Sequence, residues 1–87
     1  MYKVEIKCNL EKILKAIPKK DQINIKNYID SLDNCTDPYL HAKKIVDYKD
    51  LYRYRVGYYR ILSEIKNEKL TILVIDIDHR KNIYKSL

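Results

Sequence analysis

Tyr52-Arg53-Tyr54-Arg55-Val56-Gly57-Tyr58-Tyr59-Arg60-Ile61 (52–61) decides how this chain folds. Residues 52–56 alternate strictly, and side chains two apart on a strand share a face. Tyr52, Tyr54 and Val56 therefore point one way, Arg53 and Arg55 the other. Gly57 is the only glycine in the chain. It falls between two strand-like runs, where a tight turn needs backbone that other residues resist. Residues 59–65 then read as the returning strand, with Tyr59, Ile61 and Ile65 on the apolar side. Arg60, Leu62 and Glu64 share the opposite side with Arg53 and Arg55.

Upstream of this hairpin, residues 2–7 (YKVEIK) alternate as a strand. Asn9 is placed to cap a short helix whose apolar residues are Leu10, Ile13, Leu14 and Ile17. Pro18 ends that helix and opens a second, to about residue 32, with Ile25, Tyr28, Ile29 and Leu32 on one stripe. DNCTDP (33–38) is a loop. Residues 42–46 read as a short extra strand and 47–50 as a turn. Asn67-Glu68 suits a tight turn, residues 70–77 form the last long strand, and 78–87 a short tail. The expected fold is α+β: two N-terminal helices on one face of a four-stranded, mostly antiparallel sheet, in the order β-α-α-β-β-β. Eighty-seven residues make one domain, 1–87.

The cations are unevenly chosen. Fourteen lysines are spread along the chain, but the four arginines, Arg53, Arg55, Arg60 and Arg80, all lie in the second half. A guanidinium grips a phosphate through two parallel N–H groups, which an ammonium cannot do. With a net charge of +6, this points to a polyanionic partner such as nucleic acid. The competing readings are ordinary ones: exposed-face cations for Arg53 and Arg55, a pair with Glu64 for Arg60, a strand end for His79, a tail anchor for Tyr84. Asp76 and Asp78 sit two apart, but the surrounding positive charge opposes a metal pair. Cys8, Cys35, His41 and His79 lack zinc-type spacing. We therefore expect no metal and no small-molecule cofactor. The opening residues lack a signal-peptide core and the longest apolar run is 72–75, so the expectation is a cytoplasmic protein with free thiols and no membrane contact.

Taken together, 52–61 and 76–85 (DIDHRKNIYK) resemble the RelE/ParE toxin superfamily, and within it the RelE branch. The matching residues are Gly57-Tyr58-Tyr59-Arg60 and His79-Arg80-Lys81-Asn82-Ile83-Tyr84. The resemblance implies the toxin of a type II toxin–antitoxin pair. It would be a ribosome-dependent, metal-independent mRNA endonuclease, restrained by a cognate antitoxin. It implies Arg60, His79, Arg80 and Tyr84 as catalytic residues, with Arg53, Arg55, Lys81 and Lys85 on RNA phosphates. Attack by the 2′-OH would leave a 2′,3′-cyclic phosphate and a 5′-hydroxyl. Arg60 and Arg80 suit the phosphorane. His79 is the expected acid or base, and Tyr84 would stack on a base or orient the 2′-OH. Relatives usually carry lysines where this chain has Arg53 and Arg55. Arginine keeps the phosphate contact but is a poorer proton donor. The alternative within the superfamily is a ParE-type inhibitor of DNA gyrase that cuts no RNA.

Overall fold

The computed structural model describes residues 1–79. The chain runs through β1 (Lys3–Ile6), α1 (Leu10–Lys15), α2 (Lys19–Leu32), β2 (Ala42–Lys44), β3 (Leu51–Val56), β4 (Tyr59–Lys66) and β5 (Thr71–His79). The sheet has five strands, not four, in the order β1-β5-β4-β3-β2. The added strand is β2, three residues whose ladder matches Ala42 to Tyr54 and Lys44 to Tyr52. Among the described strands only β1 pairs in parallel, with Lys3 beside Thr71 and Ile6 beside Val74.

Local chemistry explains the element ends. The Asn9 side chain accepts from the backbone N–H of Lys12, satisfying one of the orphan donors at the start of α1. α1 stops at Lys15, two residues before its apolar pattern does. The residue before a proline is pushed out of helical backbone, and Ile17 precedes Pro18. The β3–β4 hairpin closes at Val56 and Tyr59, leaving Gly57 and Tyr58 as the turn. Gly57 has φ +60°, as the first central position of a type II′ turn requires. The second hairpin turns instead through a short 3-10 segment, Asn67–Lys69, ending on Leu70 at φ 47°.

Both helices pack on one face of the sheet. Ile25, Ile29 and Leu32 of α2 and Leu14 of α1 bury against Tyr54, Ile61, Ile65, Ile72, Val74 and Ile77. Each fully buried branched side chain contributes about 1.5–3 kcal/mol over its exposed state. The alternation read from 52–61 is met: Tyr54 and Ile61 are fully buried, and Tyr52, Val56 and Tyr59 pack at the edge of the same cluster. The β4–β5 ladder slips one register between Leu62 and Ser63.

The opposite face is less open than the sequence implied. Ile45 and Leu51 fold over Leu62 and Ile75 as a second, smaller apolar cluster. The loop that allows this turns on Asp47 (φ 72°) and Asp50 (φ 63°). Aspartate tolerates left-handed backbone better than most residues. Leu62, expected on an open surface, is therefore buried.

The loop between α2 and β2 is pinned. The Tyr54 hydroxyl donates to the Pro38 carbonyl at 2.6 Å, and the Tyr39 ring stands edge-on to Tyr52 at 5.2 Å. The Tyr39 and Tyr2 hydroxyls both donate to the Asn67 side-chain oxygen. Cys8 and Cys35 are free thiols at the rim of the main core, and burial raises both above the usual thiol range. Among the described residues no helix is long and apolar enough to cross a membrane.

Candidate functional site

Three neighbouring strands build the site. In the ladders Lys43 of β2 lies beside Arg53 of β3, and Arg55 of β3 lies directly across from Arg60 of β4. All four alternate away from the helical core, on the part of that face that the Ile45 cluster leaves uncovered. They line a concave pocket of about 220 Å³ whose fifth lining residue is His41. Among the described residues no carboxylate lines it.

Neither Arg55 nor Arg60 is paired with an acid among the described residues. The Arg55 Nε donates to the Gly57 carbonyl at 3.3 Å, tying the side chain to the turn. The Arg60 Nε is buried without a hydrogen-bond partner. Asp78 is Arg60's neighbour across the β4–β5 ladder, but its carboxylate accepts from the backbone N–H of His79. The competing reading, a pair of Arg60 with Glu64, is not formed; Glu64 pairs with Lys66 at 3.4 Å. Like charges directly opposite on a sheet cost stability. The Arg55–Arg60 pair is thus a local cost that an anion between the two forks would turn into a gain.

His79 sits elsewhere. The ladder places it across from Tyr59, whose ring it meets edge-on at 5.7 Å. It also stacks on Tyr58 at 6.3 Å and 8°. With Ile13, Ala16 and Ile17 it lines a groove on the α1 side of β5. Parity explains this: Tyr59 is a core-facing position, so its ladder partner faces the same way. The imidazole in the arginine pocket is His41. Sequence reasoning weighed His41 only as a zinc ligand, because it lies in irregular backbone just before β2. The visible signal was its spacing from Lys43, two positions, which puts both on one face. Arg80, Lys81, Tyr84 and Lys85 lie outside the described residues.

Asp76 and Asp78 each accept from the next backbone N–H, of Ile77 and His79. Among the described residues no three histidine, cysteine or acidic side chains are grouped to hold a metal. The arrangement can bind an anion bidentately and neutralise added charge.

Comparison with known proteins gives the chain its family. Residues 2–84 match the model of the family described as ParE toxin of type II toxin-antitoxin system, parDE. Toxin RelE3 of Methanocaldococcus jannaschii is 40% identical over 76 residues, 84% of each chain. The RelB-RelE antitoxin-toxin complex from Methanococcus jannaschii is similar in structure, with a TM-score of 0.74 and 34% identity, over 92% of this chain and 94% of that one. The archaeal RelE-RelB complex from Pyrococcus horikoshii OT3 also scores 0.74, at 25% identity over 91% and 94%. The chain belongs to the RelE/ParE superfamily of type II toxins, and its named relatives are of the RelE type.

Proposed function

We propose that this chain is a RelE-type mRNA endonuclease, the toxin of a toxin–antitoxin pair, acting in the cytoplasm on mRNA in the ribosomal decoding site. The observation that carries this reading is the Arg55–Arg60 pair, set face to face with Arg53 and Lys43 in a pocket that no acid lines among the described residues. A protein that only needed surface charge would gain nothing from that juxtaposition.

In this reading Arg53 and Arg55 hold the backbone phosphate, and Arg60 faces the non-bridging oxygens as the 2′-oxygen attacks. Preorganised cations aimed where charge develops stabilise the dianionic phosphorane. Arg80 and Tyr84 join the catalytic set, and Lys81 and Lys85 extend the phosphate contacts, by the resemblance of 79–84 to the RelE motif. His79, stacked on Tyr58, offers a flat surface for a base at the end of β5. The products are a 2′,3′-cyclic phosphate and a 5′-hydroxyl. The ribosome would hold the mRNA in line for attack, which is where a site with few proton carriers most needs help.

The partner that restrains it is a cognate antitoxin. The archaeal relatives are known in complexes of RelE with RelB, and an acidic segment laid into the arginine pocket would satisfy its charges. The matched family's description as ParE favours a second reading, inhibition of DNA gyrase by binding.

Primer extension on mRNA in a purified translation system separates the two, with Arg80→Ala as control. Ribosome-dependent cuts at decoding-site codons, lost in Arg80→Ala, are the expected result. Intact mRNA together with inhibited supercoiling would establish the gyrase reading instead.

A further inference from the structure

We propose that His41 is a catalytic residue of this site, the imidazole that takes the proton from the attacking 2′-hydroxyl. The proposal rests on the nuclease reading and adds a residue to it.

Cleavage needs a group that can accept a proton near neutral pH. An arginine stays protonated and has no acceptor, and a lysine ammonium has none either. Of the five residues that line the pocket, four are Lys43, Arg53, Arg55 and Arg60. The fifth, His41, is the only one of them whose neutral side chain presents a ring nitrogen able to take a proton. His79 faces α1, across β5 from these arginines.

His41 is also held in place. It is exposed, but its loop is not loose. The Tyr54 hydroxyl anchors Pro38, and Tyr39 is fixed by Asn67 and by the Tyr52 ring. The Ala42 N–H donates to the Tyr39 carbonyl at 3.1 Å, closing the turn that contains His41. Next, Ala42 enters the ladder opposite Tyr54 and packs on the core. Its two neighbours, His41 and Lys43, are thereby turned towards the arginines.

The step balances without a co-reactant. A ring nitrogen of His41 takes the 2′-OH proton, the 2′-oxygen bonds to phosphorus, and the bond from phosphorus to the 5′-oxygen breaks. The 5′-oxygen takes a proton from water, and the imidazolium returns its own to solvent. The charged groups facing His41 in the pocket are Lys43, Arg53, Arg55 and Arg60. On its other side Tyr28, Cys35, Asp37 and Tyr54 line the adjoining groove.

The test is single-turnover cleavage of ribosome-bound mRNA between pH 5.5 and 8, by the wild type, His41→Gln, His41→Ala and His79→Gln. The wild-type rate should rise with pH and level off. His41→Gln should lose about 100-fold or more and lack that rise. Imidazole added to the buffer should restore part of the His41→Ala rate, which a merely structural role would not allow. His41→Gln cleaving within about threefold of wild type, with the rise intact, would overturn the proposal and leave the nuclease reading standing. Loss of the rise in His79→Gln alone would transfer the role to His79. A wild type that leaves mRNA intact would overturn both readings.

Discussion

Arg55 and Arg60 stand opposite each other across the β3–β4 ladder, and both face the same pocket, which no acid lines among the described residues. In a fold without an anionic ligand this pairing is unfavourable, and Arg60 carries a buried, unpartnered Nε as well. The site is therefore expected to trade stability for binding.

Arg60→Met tests that trade directly. Relief of the like-charge pair should stabilise the free protein by about 0.2–1 kcal/mol. Loss of a transition-state donor should lower cleavage about 100- to 1000-fold. Urea unfolding and primer extension read the two effects on one sample, and loss of both stability and activity would contradict the account.

Binding should weaken steeply with salt. Lys43, Arg53, Arg55 and Arg60 offer four cations to a single strand. At about 0.7 per phosphate contact, log K against log salt should have a slope of about −3. Arg53→Ala should reduce that slope by roughly one contact's share, measured by fluorescence anisotropy on a short RNA.

The hairpin turn should tolerate little. Gly57 sits at φ +60° with open space where a Cβ would go, so only backbone strain opposes Gly57→Ala. That strain costs about 1–3 kcal/mol. Because Arg55 is tied to the Gly57 carbonyl, cleavage should fall alongside stability. Gly57→Asn should recover part of both.

Alkaline pH should destabilise the fold. Burial raises the Tyr54 phenol well above its ordinary value of 10, and burial likewise raises Tyr28, Tyr39, Cys8 and Cys35. A group with a raised native pKa keeps its proton in the fold after the unfolded chain has lost it. Unfolding then releases protons, so the contribution is whole below the unfolded value and falls as pH climbs past it. Stability should decline above about pH 9, where the thiols start to ionise in the unfolded chain. Tyr54→Phe should flatten the decline above about pH 10. It should also cost about 1–3 kcal/mol at neutral pH by orphaning the Pro38 carbonyl.

Ser63 gives a prediction of opposite sign. It is fully buried at the register slip, with its hydroxyl unpartnered. Ser63→Ala should raise stability by about 1 kcal/mol, seen as a melting temperature higher by roughly 4–8 °C.

Much of this architecture was legible where periodicity is strong. The YRYRV alternation assigned both faces of β3, and the lone glycine located the hairpin. Asn9 and Pro18 marked helix boundaries because capping and proline sterics act within a few residues. What escaped depended on distant partners. Nothing local in 2–7 says that β1 lies parallel to β5, sixty-eight residues away at the Lys3–Thr71 pair. The roof of Ile45 and Leu51 over Leu62 depends on two left-handed aspartates. His41 escaped because its loop has no period to read, and only the ladder of β2 turns it inward. His79 looked like part of the arginine site by proximity in sequence, whereas strand parity sends it to the other face.

The strand order sets when the molecule can exist at all. β5 lies between β1 and β4, so the last described strand in sequence is an interior one in space. A chain emerging from the ribosome has its hairpin and both helices well before it has the strand they close around. Ile72, Val74 and Ile77 are core residues, and until they are free of the exit tunnel the core lacks its middle. A protein proposed to attack translating ribosomes would thus stay unassembled on the ribosome that makes it until residues 71–79 have emerged.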